Sequence, residues 1–114
     1  MRRLIAIGIV LACAGCATPG ETMSKDPVAS WKSSKSVQAY VECAIPAVVQ
    51  GWPLTRSIPK SGGQQIIVSG DGFGNVAAVI DVSADGSGSR VDLKQGAAAS
   101  WVLKGISKTT ESCI

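Results

Sequence analysis

Between Leu54 and Lys94 the apolar residues recur at every second position, and the breaks between these runs are a few residues of Gly, Asp, Asn and Pro. That period belongs to strands with one face packed and the other wet. Connections so short allow hairpins but no parallel crossover, which takes roughly a dozen residues or more. The stretch is expected to fold as an antiparallel meander of four strands. Leu54 to Ile58, between two prolines, suits an edge; Gln64 to Ser69 follows; Asn75 to Ser83 places Val76, Ala78, Ile80 and Val82 on one face; Ser89 to Lys94 closes the set.

On either side of this stretch the period lengthens. Val37, Tyr40, Val41, Ala44, Ile45 and Val48 follow the spacing of one helical face. Ser34 or Ser36 can cap the first amides, Pro46 is expected to kink the helix or end it early, and Gly51-Trp52-Pro53 stops it. From about Gly96 to Cys113 a second stripe carries Ala98, Val102, Ile106, Thr109 and Cys113, helped by Ala97-Ala98-Ala99 and weakened by Gly105. Two helices that cover the apolar face of a meander give an α+β domain of two layers, with a helix at each end of the chain segment.

The N-terminus is of another kind. Arg2-Arg3 precede nine residues, Leu4 to Ala12, that are all apolar or Gly, and Cys13-Ala14-Gly15-Cys16 follows. This is the layout of an export signal, and its apolar run falls well short of the about 20 residues that cross a bilayer. Ala14-Gly15-Cys16 resembles the lipobox of bacterial lipoproteins, in which cleavage precedes a cysteine that becomes lipidated. The position three before that cysteine, usually an aliphatic residue, is Cys13, so Val10-Leu11-Ala12-Cys13 is a rival frame. Cleavage there would leave a signal of only twelve residues, and it would strand Cys16 as an odd thiol. Cys16 is therefore taken as the lipidated residue and residues 1–15 as the signal.

With that cut, Cys43 and Cys113 remain as a pair in an oxidising compartment. A bond between them would join the first helix to the end of the last. Cys43 lies away from the centre of its helix's apolar stripe, which counts against an easy fit, and two free thiols are the alternative. The spacing is not that of a Cys-x-x-Cys redox pair, so the bond is read as structural.

Residues 18–33 hold two prolines, a glycine and scattered Ser, Thr and charge, with no period of either kind. They read as a tether, so the chain divides into a signal (1–15), a lipidated cysteine with its tether (16–33) and a small domain (34–114). Trp31, at the end of the tether, is expected to pack on the domain. Removing residues 1–15 from the 114 leaves 99, and of the 11 Lys and Arg it takes Arg2 and Arg3, leaving nine against eight Asp and Glu. The nine are scattered singly, which argues against a nucleic-acid partner.

Val41-Glu42-Cys43-Ala44, the strand Val79-Ile80-Asp81-Val82, the turn and strand Gly88-Ser89-Arg90-Val91, and Cys113 together resemble small proteobacterial lipoproteins of unknown function. The resemblance covers residues 36–114 and implies fold and address, with no functional residue to carry over. Ala17 stands where Asp marks inner-membrane retention in enterobacterial lipoproteins. The resemblance therefore implies an outer-membrane anchor facing the periplasm.

Catalytic chemistry finds little support. The chain has no histidine, and its Lys, Asp and Ser residues show no motif spacing. Gly70-Asp71-Gly72-Phe73-Gly74-Asn75 has glycines suited to a hairpin loop, but a strand pattern follows where a phosphate site needs a helix. Asp81, Ser83 and Asp85, with Gly86 and Asp92, match a calcium loop at positions 1, 3, 5, 6 and 12. Their flanks alternate as strands, however, and a hairpin turn at 84–88 is the simpler reading. No cofactor is expected. The sequence is read as a non-enzymatic envelope module that binds or braces a protein partner, the alternative being a periplasmic inhibitor or exclusion factor that acts through the loop at 70–75.

Overall fold

The computed structural model describes residues 22–69 and 75–114; the signal, Cys13, Cys16 and the glycine loop at 70–74 lie outside them. Helix α1 spans Val37–Gly51 and buries Tyr40, Val41, Ala44 and Val48. Of the two candidate caps it is Ser36 whose side chain accepts from the Ala39 amide, at 3.2 Å. The helix passes Pro46 and continues to Gly51. Proline deletes one donor there, but Pro46 is on the exposed side, where water can serve the released carbonyl.

Among the described residues the sheet is antiparallel and has five strands, one more than expected: β1 (Ala29–Ser33), β2 (Arg56–Lys60), β3 (Gly63–Ser69), β4 (Val76–Asp85) and β5 (Gly88–Gln95), in the spatial order β1-β5-β4-β3-β2. Strands β2 to β5 are those of the meander. Pro59 lies inside β2, opposite Gln64, which an edge strand tolerates. The turns between β2 and β3 and between β4 and β5 each place one glycine at positive φ, Gly62 at 74° and Gly86 at 58°.

The added strand, β1 (Ala29–Ser33), corrects the tether. It pairs with β5, with Trp31 opposite Val91 and Ser33 opposite Ser89. Ala29 and Trp31 extend the packed rows of Leu93 and Val91, so Trp31 is packed against the core as expected, but as part of the sheet. Gly88 allows the close approach of β1, because a methyl group there would overlap the carbonyl oxygen of Ser33. Packing begins earlier still. Thr22 is buried, Met23 lies on the sheet, and the Val28 amide donates to Leu93 O at 2.8 Å.

Helix α2 (Ser100–Glu111) starts later than the alanines suggested. The amides of Gly96 and Ala97 donate to Ala77 O and Val76 O, at 2.9 and 2.8 Å, so β4 holds this segment extended before the helix can begin. Ile106 and Thr110, rather than Thr109, are its buried residues. Both helices cover one face of the sheet, over a core that includes Ile66, Val68, Ala78, Ile80, Val82, Val91 and Leu93. Val76 departs from the expected row. Between Val68 and Ser69 the register shifts past Ala77, and Val76 turns to the opposite face with Ile67 and Val79, under Met23.

Candidate functional site

Cys43 and Cys113 form a disulfide, with Cα atoms 5.8 Å apart and a sequence separation of 70. The misfit in helical phase is resolved beyond the helix end. Cys113 follows the C-cap Ser112, so the period of α2 does not dictate its direction; it is buried at 2% exposure while Cys43 stays at the surface. Two hydrogen bonds reinforce the same junction. The Tyr40 hydroxyl donates to Thr110 O at 2.8 Å, and Lys35 Nζ donates to Cys113 O at 2.6 Å. Burial pushes the Tyr40 phenol well above its ordinary value, so the hydroxyl remains a donor. The cluster closes the domain where its two helices meet.

The four calcium-loop candidates are strung along the β4–β5 hairpin. Asp81 and Ser83 lie on the face away from the helices, Asp92 is directly opposite Asp81 on β5, and Asp85 is at the hairpin end opposite Gly88. From Asp81 to Asp85 a strand advances about 13 Å. Asp81 and Asp85 are therefore not brought together, and the expected turn at 84–88 closes through Gly86 and Ser87. Cations already serve the central carboxylates: Lys60 pairs with Asp81, Lys94 approaches it at 4.0 Å, and Asp92 accepts from Arg90 at 3.1 Å and from the Ser30 hydroxyl at 2.7 Å. Among the described residues no cluster of three or more His, Cys, Asp or Glu could hold a metal ion.

A concavity lies elsewhere, on the helical side. A groove of about 690 Å³ runs between the end of α1 and the start of α2, lined by Gly51, Trp52, Asn75, Ala77, Ala97, Ala98, Ala99, Trp101, Val102 and Gly105. Each wall follows from local structure. The turn after α1, with Thr55 Oγ1 donating to Trp52 O at 2.6 Å, sets Trp52 against α2, where its indole lies beside Gly105. Gln95 Nε2 donates to Ala98 O at 3.0 Å and fixes the alanine floor. Trp101 stands at the rim in the first turn of α2 and is 78% exposed. That turn has no side-chain cap, because Ala99 occupies the N-cap position.

An apolar trough of small residues between two indoles, bordered by uncapped helix amides, suits an apolar group carrying an acceptor or a negative charge. Reading the sequence for periodicity passes over this site. Trp52 reads as a helix stop, and Trp101 falls outside the apolar stripe of α2; an aromatic residue off the stripe was the available signal. Among the described residues no helix is long and apolar enough to cross a membrane. No protein-family model matches the chain, and no curated protein or solved structure matches it either.

Proposed function

We propose that the protein is a bacterial envelope lipoprotein, anchored through Cys16 in the outer membrane and facing the periplasm. In this reading its domain is a non-enzymatic binding module for a protein partner, and the groove between Trp52 and Trp101 is the contact point. The observation that carries the binding role is Trp101, a large apolar side chain 78% exposed beside a ready-made trough. The export signal and Cys16 support the address, and the disulfide fits an oxidising compartment. Intact mass of the protein from detergent-solubilised envelopes tests the anchor. A chain that begins at Cys16 with a diacylglyceryl and an acyl group supports it, and a water-soluble chain without lipid refutes it. A photo-crosslinking residue at position 101, compared with one at exposed Lys108, tests the groove. An envelope protein captured from 101 alone, and lost on Trp52→Ala, is the expected result; equal capture from both positions would overturn it.

A further inference from the structure

The face of the sheet that the helices leave uncovered carries charge very unevenly. One cross-strand row on it runs Lys60, Gly63, Ser83, Arg90 and Lys32, and another runs Arg56, Ile67, Val79 and Lys94. The row between them holds two carboxylates, Asp81 and Asp92, directly opposite one another. Asp85, two residues beyond Ser83 on β4, adds a third carboxylate at the hairpin end, so five cations meet three anions on this face. The chain from Cys16 onward has nine basic and eight acidic side chains, so four and five are left elsewhere. The inner charges are Asp81 and Asp92, with side chains 11% and 19% exposed, and the Asp81 partners Lys94 and Lys60, at 13% and 24%. The Arg90 side chain, by contrast, is 55% exposed, and Lys32, Arg56 and a single carboxylate, Asp85, are open to solvent. The surface presented to water is cationic.

The chain enters the domain on this same face. Met23 packs on the cluster of Ile67, Val76 and Val79, and Lys94 Nζ donates to Met23 O at 2.7 Å. Thr22 is already buried, so only six steps of chain join it to Cys16, a span of at most about 20 Å when fully extended. A leash so short presents the face from which it leaves to whatever holds its far end.

We propose that the open sheet face lies on the phosphate headgroups of anionic phospholipid in the membrane that holds the Cys16 lipid. The inference rests on the reading of Cys16 as the anchor. Headgroup phosphates complement the cationic rows, and the leash delivers those rows to the bilayer. The Trp52 and Trp101 groove, on the opposite side, then points into the aqueous compartment.

The test uses the mature protein with its acyl chains, confirmed by mass, in vesicles of phosphatidylcholine alone or mixed with phosphatidylglycerol. A neutral amine-reactive ester is added, and labelling is read by mass spectrometry at Lys32 and, as reference, at Lys104 and Lys108 on α2. On the anionic vesicles Lys32 is expected to react roughly fivefold more slowly than on the neutral ones while the reference lysines are unchanged, a difference that vanishes at high salt. Exposed-site changes Arg56→Gln and Arg90→Gln together should abolish it with the fold intact. Lys32 equally reactive on both vesicles would overturn the proposal and leave the face for a protein partner; equal shielding on both would overturn recognition of lipid charge. A mass without acyl chains would refute the anchor alone. In that case co-sedimentation of the unlipidated protein with anionic but not neutral vesicles would support the face, and pelleting with neither would refute it.

Discussion

Breaking the bond between Cys43 and Cys113 should cost this domain a large part of its stability, and the loss can be worked from the loop it closes. The cysteines are 70 positions apart, so the bond encloses most of the domain. Chain entropy for a loop of that size corresponds to about 4 kcal/mol at room temperature, all of it from freeing the unfolded chain. Domains of this length hold a total of only about 5–15 kcal/mol, toward the lower end when small. At about 4–8 °C per kcal/mol, the melting temperature should fall by roughly 15–30 °C on reduction. Thermal melts by far-UV circular dichroism, with and without reductant, measure the loss directly. Cys43→Ala with Cys113→Ala should fall slightly further, because Cys113 is 2% exposed and its sulfur packs in the core, whereas Cys43 is at the surface. Tyr40, Thr110 and Ile106 would still hold α2 in place, so the reduced protein should keep its native spectrum at low temperature. A reduced protein that melts within a few degrees of the oxidised one would refute the loop argument.

Other consequences follow from packing and burial. Tyr40→Phe takes the short side-chain bond from Thr110 O, leaving the long one from the Cys113 amide at 3.5 Å, and should cost about 1–2 kcal/mol in urea denaturation. Tyr40 is the only tyrosine, and burial raises its phenol above the usual 10, so the stability linked to it is complete below pH 10 and is lost as pH rises through the folded value. Phenolate absorbance should therefore appear only in more alkaline solution, together with loss of ellipticity, and its appearance near pH 10 in a folded protein would contradict the burial. Ile80→Ala, at the centre of the core, should lower stability by about 2–5 kcal/mol, and Ile58→Ala, 40% exposed on edge strand β2, by less than about 1 kcal/mol. Gly88→Ala should push β1 from β5 at a cost of about 1–3 kcal/mol, seen as faster hydrogen exchange confined to the amides of β1 and its partner residues.

The sequence by itself determined whatever short-range chemistry controls. The lengthening and shortening of the apolar period marks two helices around a four-strand meander, and Ser36 before Val37 supplies a cap from its own side chain. The glycines at 62 and 86 mark where hairpins must close, since positive φ is easy only there. The pairing of Cys43 with Cys113 was legible from parity, although its geometry was not, because Cys113 lies past the helix end, where no period applies.

Only the tertiary structure decided the rest, and the reason is distance along the chain. Ala29 and Trp31 are too few to announce a strand; β1 exists because β5, some sixty positions on, offers unpaired backbone and the rows of Val91 and Leu93. The face taken by Val76 depends on a register shift between two strands, and the start of α2 on carbonyls of β4 that hold Gly96 and Ala97 extended. The Trp52 and Trp101 groove forms where two helix ends meet over Ala77, and the cationic face forms where cross-strand pairing gathers singly scattered lysines and arginines. Local periodicity records which way each side chain faces along its own element; which elements become neighbours is set by long-range pairing, and both candidate surfaces are products of that pairing.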